Sequence, residues 1–202
     1  MSNRAGFHSG EVYGQTAKIG GKFISNEIWI PASELNMVSG SITSGVQNNY
    51  FSWGYDAASN DGAVGTTIYV PKNIPRNVKA NVKPHWTFEV GDAGSVLSGI
   101  GQVVMDMDYR GAAALVSGTT QVTGINYILS GSYTNVTTTD TVSDPAYNLS
   151  GVIHVSELEI PKGDVNPGEI VSFFIYRDSA ESADTLPVKT RLIGVAVEFV
   201  EA

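Results

Sequence analysis

The stretch GEIVSFFIYRDSAESADTLPVKTRLIGVAVEFV, from Gly168 to Val200, decides the fold class. It contains two apolar runs, Ile170–Tyr176 and Arg191–Glu198, which are rich in the β-branched and aromatic residues that strands favour. In the first run both alternating faces carry bulky side chains, as expected of a strand buried in a sandwich or at a subunit contact. The polar segment between the runs concentrates charge, and it is therefore the first candidate site.

That polar segment opens with Arg177 and continues with the acidic residues Asp178, Glu181 and Asp184. One interpretation is a structural corner, in which an ion pair of Arg177 with Asp178 or Asp184 fixes the loop between two strands. The other is a guanidinium beside three acids that binds a cation or the hydroxyl groups of a sugar. We favour the structural corner, because nothing else in the segment points to chemistry.

The rest of the chain carries the same strand signals and almost no helical periodicity. Gly, Asn, Asp and Pro mark the turns between short apolar runs, as in NDG at Asn60–Gly62. Without helices for parallel crossovers, the pattern predicts an antiparallel, jelly-roll-like β-sandwich over residues 25–202. The other predicted strands are Glu27–Ile30, Tyr50–Tyr55, Thr66–Val70, Asn77–Glu89, Val96–Tyr109, Gln121–Leu129 and Ser150–Ile160.

The first 24 residues differ in character, because glycine recurs there between isolated aromatic residues. Such a segment cannot build a core of its own. We predict an extended attachment arm over residues 1–24, held by a partner surface through Arg4, Phe7, Tyr13 and Phe23. The alternative is an arm that folds back on its own domain.

The composition of the chain limits the kinds of molecule that it can bind. The formal net charge of -8 disfavours binding to nucleic-acid phosphates or to anionic lipid, since both require a basic face. The chain has no cysteine, which excludes disulfides and thiolate chemistry. No stretch approaches the roughly 20 apolar residues that span a bilayer. We expect no nucleic-acid partner, no membrane partner, and assembly in a host cytoplasm.

Carboxylates at two-residue spacing are the main candidates for metal ligands. Asp106 and Asp108 in MDMDY lie on one face of a predicted strand, where a calcium or magnesium site could form. A metal site needs further oxygen ligands, however, and the EF-hand loop signature is missing. We therefore expect both carboxylates on the solvent side, with Met105, Met107 and Tyr109 turned inward.

Enzymatic motifs are missing from the sequence. His8, His85 and His154 stand in no recognisable motif, and there is no nucleophile elbow or phosphate-binding glycine loop. In the strand around HWT, Trp86 is expected in the core and His85 outside it. Asn135, in an Asn-Val-Thr triplet, is interpreted as a loop residue. We predict no catalytic residue, no cofactor and no metal site.

A series of packing motifs resembles a group of small jelly-roll proteins of tailed bacteriophage particles, which includes capsid decoration proteins, head fibres and tail-fibre domains. The C-terminal stretch completes a series of four earlier motifs, namely IWIPASEL at Ile28–Leu35, YFSWGYDAA at Tyr50–Ala58, IYVPKNIP at Ile68–Pro75 and VKPHWTFEV at Val82–Val90. The resemblance implies a homotrimer packed around a threefold axis and attached through a terminal arm.

Three functions are compatible with this pattern. The leading expectation is a virion structural protein, a cement protein that binds the major capsid protein on the outer capsid surface and stabilises capsomer contacts. The alternative is a tail-fibre or head-fibre component that binds the host receptor, with Tyr133, Asp144 and Tyr147 contacting glycans. The third, a polysaccharide depolymerase, would need a paired-carboxylate cleft around Asp106 and Asp108.

Overall fold

The structure is a computed structural model that describes residues 18–19, 22–23, 26–40, 42–47, 49–56, 62–89, 101–113, 133–142 and 152–202. Most of the predicted attachment arm, residues 1–24, lies outside this part of the chain. Two paired strands of two residues each, Lys18–Ile19 and Lys22–Phe23, are described there. The other described strands belong to two antiparallel sheets.

Fourteen strands and one turn of 3-10 helix at Ala32–Glu34 make up the described elements. In chain order the strands are β1 (Lys18–Ile19), β2 (Lys22–Phe23), β3 (Asn26–Pro31), β4 (Asn36–Ser39), β5 (Thr43–Gln47), β6 (Tyr50–Tyr55), β7 (Ala63–Tyr69), β8 (Val78–Phe88), β9 (Gly101–Ala113), β10 (Thr134–Val142), β11 (His154–Val155), β12 (Leu158–Ile160), β13 (Glu169–Arg177) and β14 (Thr190–Glu201).

The first sheet has five strands in the order β10-β9-β13-β7-β4. The second has seven, with β8 and β14 paired at its centre. Strands β11 and β12 follow one another along the free side of β8, while β3 and β6 share the other side of β14. Strand β5 extends β6 at the outer edge. The chain crosses repeatedly between the two sheets, and β5–β6 and β9–β10 are neighbouring pairs within one sheet, which together produce an antiparallel β-sandwich.

The core lies between the two sheets because each long strand turns its apolar positions inward. Strands β8 and β14 contribute Val82, Val195 and Val197, and strands β9 and β13 contribute Met107 and Phe173 on the facing sheet. All of these side chains are fully buried. The predicted all-β antiparallel sandwich is confirmed, and so are the inward positions of Met105, Met107 and Tyr109.

A buried hydroxyl group also joins the two sheets. The Tyr55 Oη on β6 donates a hydrogen bond of 3.0 Å to the carbonyl oxygen of Ile175 on β13. Because a buried tyrosine hydroxyl needs a partner, this bond fixes the position of β6 over β13. Burial raises the pKa of Tyr55 far above its ordinary value, so the hydroxyl remains a donor.

Several strand predictions need correction. The predicted strand Ser150–Ile160 is two short strands, β11 and β12, interrupted at Ser156, whose N–H bonds to the Pro84 carbonyl oxygen. Strand β10 was not predicted, because its sequence TNVTTTDTV is mostly threonine with few apolar positions. Asn135 is therefore a strand residue, and its interpretation as a loop residue was wrong. The predicted strand Gln121–Leu129 lies outside the described residues.

Candidate functional site

The charged cluster of the C-terminal stretch forms a buried ion pair. The side chains of Arg177 and Asp184 are 0% and 2% exposed. The guanidinium donates to both carboxylate oxygens, from Nε over 2.9 Å and from Nη2 over 2.6 Å. It also donates to the carbonyl oxygens of Leu186 and Val188. Each guanidinium nitrogen therefore has a partner, and the bidentate geometry is the strong form of this pair.

The same pair anchors the loop between β13 and β14 to β9. The Asp184 Oδ2 accepts a further hydrogen bond from the Val104 N–H over 3.1 Å. The Asp178 N–H donates to the Val104 carbonyl oxygen over 3.0 Å, so the loop continues the ladder of β9. This geometry is that of a structural corner.

The other two acids of this loop serve local turns. The Asp178 Oδ1 accepts from the N–H groups of Ala180 and Glu181, both over 3.2 Å. The Glu181 carboxylate accepts from Ser182 next to it. The carboxylate that forms the bidentate pair with the guanidinium is that of Asp184, whereas Asp178 and Glu181 accept from N–H groups of their own loop.

A second polar cluster lies on the outer face of the five-stranded sheet. Strand register places Asp108 between Asn135 on β10 and Phe174 on β13, and it places Asp106 beside Tyr176. The Asn135 Nδ2 group donates to the Asp108 Oδ1 over 2.9 Å and to the Tyr176 Oη over 3.1 Å, and lies 3.5 Å from the Asp106 Oδ2. One amide therefore holds two carboxylates and a phenol together.

Asp106 is more buried than the sequence suggests. It was expected on the solvent side of the strand, but the residue is only 6% exposed. Its Oδ1 has no hydrogen-bond partner among the described residues. Asp106 therefore lies beneath the surface of this cluster, whereas Asp108 and Tyr176 line the cleft beside it.

A cleft opens beside these side chains, with a volume of about 290 Å³. Its walls include Val38, Ser39, Ala63, Asp108, Phe174 and Tyr176. Burial, and then the nearby charges of Asp108 and Asp106, raise the pKa of Tyr176 well above its ordinary value. The phenol therefore keeps its proton. This region, the outer-face cleft, combines apolar walls with hydrogen-bonding groups.

Aromatic contacts fix one side of the outer-face cleft. The Tyr133 ring packs against Phe174 with 4.4 Å between ring centroids. On the other side the Arg110 guanidinium lies over the Tyr133 ring, 4.8 Å from its centroid, in a cation–π contact. The Phe174 ring is thus held between its strand neighbours and Tyr133. Of the three residues suggested for glycan contact, Tyr133 is in this cluster, whereas Asp144 and Tyr147 lie outside the described residues.

A third polar cluster lies at the end of the core. The Trp86 Nε1–H donates to the Ser156 Oγ over 2.9 Å, and Ser156 in turn donates to Asp140. His154 stacks on Trp86 with 4.5 Å between ring centroids. Burial raises the pKa of Asp140, although the Ser156 hydrogen bond and the charge of His154 act in the opposite direction. Ser156 is fully buried, and its hydroxyl accepts from Trp86 and donates to Asp140, so its role is to join these two side chains.

The remaining sequence candidates are dispersed. Trp86 is in the core and His85 is partly exposed, as predicted, with the His85 ring edge-on to Trp29 at 5.0 Å. Arg4, Phe7, His8 and Tyr13 lie outside the described residues, and Phe23 is described only as part of β2. Among the residues that the structure describes, no three His, Asp or Glu side chains are grouped to hold a metal ion. Nor does any helix there have the length and apolarity to span a bilayer.

The outer edge of the seven-stranded sheet carries no charged residue on β5 itself, although the Arg191 guanidinium of β14 donates to the Thr43 carbonyl oxygen over 3.3 Å. Strand β5 pairs with β6 and with no other described strand. Val46 on β5 is 74% exposed and Tyr50 at the start of β6 is 58% exposed. Asn49, in the turn between them, has a φ of 70°, which asparagine tolerates better than most residues. Sequence reasoning missed this edge because β5, TSGVQ, has only one bulky apolar residue.

Comparisons with known proteins give shape similarities only. No protein-family model and no curated protein matches the sequence. Similar solved structures include an exo-β-1,3-galactanase from Phanerochaete chrysosporium (TM-score 0.41, 14% identity, 85% of this chain and 29% of that one). Another is the two-module part of a Clostridium thermocellum endo-1,4-β-D-xylanase (TM-score 0.40, 10% identity, 83% and 26%).

A single binding module of similar size is also found. It is TmCBM61 in complex with β-1,4-galactotriose, with a TM-score of 0.38, 10% identity, and coverage of 85% of this chain and 91% of that one. The chain spans less than a third of the galactanase and of the xylanase fragment. At these TM-scores we transfer no activity, ligand or site residue from these structures.

Proposed function

We propose that the chain is a structural protein of a tailed-bacteriophage virion, which decorates the outer capsid surface as a homotrimer and strengthens contacts between capsomers. The packing motifs that resemble phage jelly-roll proteins support this proposal, and four of them each include part of a described strand, β3, β6, β7 or β8. The protein acts by binding and has no catalytic step.

The observation that carries the proposal is the edge position of β5, which pairs with β6 and with no other strand that the structure describes. An edge strand exposes unpaired N–H and C=O groups, and proteins that remain monomeric usually protect such edges with charge or proline. The sequence TSGVQ has neither. The exposed side chains of Val46, Tyr50 and Phe51 add apolar surface next to it. Pairing with a neighbouring subunit would satisfy the backbone groups and bury these side chains.

The attachment arm supplies the contact with the capsid. In this proposal, residues 1–24 extend over the major capsid protein, and Phe7, Tyr13 and Phe23 bury their rings there, with Arg4 adding a charged contact. Each buried ring contributes about 1.5–3 kcal/mol. Three arms on one trimer raise the effective concentration, so weak contacts add up to stable attachment in the virion.

The mass of the isolated chain in solution tests the edge directly. We expect a trimer by sedimentation or light scattering, and we expect Val46→Lys to shift the protein to a monomer because it places a charge beside the open edge. Val155→Lys is the matched control, since Val155 is 49% exposed on β11 at the opposite edge of the same sheet. A wild-type monomer at micromolar concentration would contradict the proposal.

Attachment is tested by deletion of residues 1–24. The truncated chain is expected to remain folded and trimeric but to be lost from purified capsids. Stoichiometric binding of the truncated chain to capsids would show that the arm is not the attachment element.

A specific observation favours a second function, in which the chain is a tail-fibre or head-fibre component that binds the host receptor. Tyr133, Phe174 and Asp108 form an aromatic and acidic surface on the outer face of the five-stranded sheet. Copy number separates the two functions, because a decoration protein covers the capsid whereas a fibre tip is present in few copies. Quantitative mass spectrometry of whole particles measures it.

A further inference from the structure

The outer-face cleft has properties that the corner at Arg177 lacks. Two of its lining residues, Asp108 and Tyr176, carry polar groups that the Asn135 amide holds in place at the cleft. The cleft is also concave, with a volume of about 290 Å³, near the lower end of pockets that hold small ligands.

The two sides of the cleft differ in chemistry. Val38, Ala63 and the Phe174 ring form an apolar wall, and Asp108 with Tyr176 forms a hydrogen-bonding wall. A ligand that fits both must present an apolar face and, at its rim, hydroxyl groups that donate to carboxylates. Hydrogen bonds from hydroxyl groups to ionised carboxylates are short and strong. A pyranose ring has this combination, with C–H groups on its face and hydroxyl groups around its edge.

The hydrogen-bonding wall is already rigid. The Asn135 amide joins Asp108 and Tyr176 through bonds of 2.9 and 3.1 Å, and Tyr133 packs against Phe174. Groups that are fixed before the ligand arrives lose little conformational entropy on binding. This favours recognition of a neutral ligand whose individual contacts are weak.

Local charge argues against a cation as the intended ligand. Arg110 lies two residues from Asp108 on the same face of β9, and its guanidinium lies over the Tyr133 ring, so this face already carries a cation of its own. Among the described residues no group of three acidic or histidine side chains is arranged to hold a metal ion. A neutral polyhydroxylated ligand requires no further compensation of charge.

We propose that the outer-face cleft binds a single sugar residue, such as the end of a surface glycan, with Phe174 against the ring face and Asp108 accepting from its hydroxyl groups. Asn135 and Tyr133 are positioning residues for this site. The inference rests on the second function proposed above, the receptor-binding one, to which it assigns a ligand class, and it is independent of capsid decoration because the cleft belongs to one chain and needs neither the trimer nor the capsid.

Titration of the full chain with lactose, cellobiose and maltose tests the site, with amide chemical shifts as the readout. At least one of these disaccharides is expected to bind saturably with a Kd on the order of 1 mM. Phe174→Leu and Asp108→Asn should each weaken that binding about tenfold or more. Thr139→Ala, an exposed residue of β10 on the same sheet, is the matched control and should leave the Kd unchanged.

Three results would overturn the inference. The first is no saturable shift with any of the disaccharides, and the second is a Kd that neither substitution changes. The third is binding of N-acetyl-arginine amide in place of the sugars, which would assign the carboxylates to a cation. If Phe174→Leu fails to fold, as judged by circular dichroism, Asp108→Asn alone decides, since it keeps the shape of the side chain. Loss of the virion function would leave all of these readouts unaffected.

Discussion

The corner at Arg177 and the outer-face cleft contain the same kinds of residue. They differ in how fully the hydrogen-bonding groups of those residues are paired within the chain. In the corner, the guanidinium has partners on every nitrogen, and Asp184 accepts from both Arg177 and the Val104 backbone. In the outer-face cleft, one amide serves several acceptors and the Asp106 Oδ1 has no described partner.

The extent of internal hydrogen bonding distinguishes a structural cluster from a candidate binding cluster. A buried charge whose partners are all supplied by its own chain stabilises one conformation and offers nothing to a ligand. A rigid cluster whose polar groups line a cleft, as Asp108 and Tyr176 do, can still form hydrogen bonds with another molecule. Charge density in the sequence does not distinguish the two, because both clusters contain acids close to basic or aromatic residues.

The largest effect is expected from Arg177→Met, which leaves the Asp184 charge buried without its partner. Removal of one member of a buried pair typically costs about 3–5 kcal/mol of the free energy of unfolding. Urea denaturation measures this loss. The control is Lys79→Met, which breaks the exposed Lys79–Glu159 pair and should cost less than about 1 kcal/mol. Equal losses in the two variants would contradict the assignment of Arg177 to a structural corner.

A smaller loss is expected from Gly65→Ala, which tests the close contact of β7 with β13 beneath the cleft. An added Cβ would lie 2.4 Å from the Phe173 carbonyl oxygen, a backbone atom that cannot move aside cheaply. We expect a loss of about 1–3 kcal/mol in the free energy of unfolding.

Gly45→Ala provides the comparison for this substitution. The nearest atom to its added Cβ would be a flexible arginine nitrogen at 3.7 Å, so stability should change by less than about 0.5 kcal/mol. A tolerated Gly65→Ala would show that β7 and β13 can separate without cost.

Asp140 provides an intermediate case, a buried carboxylate whose pKa is raised by burial. Its folded state favours the protonated form, so the contribution to stability is full below the ordinary pKa of about 3.8 and declines as pH rises through the higher folded pKa. Asp140→Asn, which stays neutral, should therefore become more stable relative to wild type as pH rises from acid to neutral. Urea midpoints across this pH range measure the difference. A constant difference at all pH values would contradict the raised pKa.

The smallest effect on stability is expected from Tyr176→Phe in the outer-face cleft. It removes one partly exposed hydroxyl from the Asn135 hydrogen bonds, and the free energy of unfolding should fall by less than about 1.5 kcal/mol. The same variant should weaken disaccharide binding, measured by the titration described above. A loss of stability as large as that of Arg177→Met would place Tyr176 in the structural class instead.

Much of the fold could be predicted from alternation of side chains along the strands. The runs around Phe173, Val195 and Trp86 correspond to β13, β14 and β8, since two-residue periodicity with bulky side chains is a local property of the sequence. Strand β10 could not be predicted in this way. Its threonines carry little apolar signal, and it is a strand because it pairs over its whole length with β9.

The sequence by itself determined the all-β class, the inward positions of the apolar residues and the charge that disfavours nucleic acid, because these depend on composition and local periodicity. Tertiary structure alone decided which polar residues meet. Asn135 lies 27 residues from Asp108 and 41 from Tyr176 in the chain, and only the register of β10, β9 and β13 brings them together. Register is set by pairing between strands. The difference between the corner, whose guanidinium is fully hydrogen-bonded, and the cleft, whose polar groups face a cavity, therefore arises only in the folded molecule.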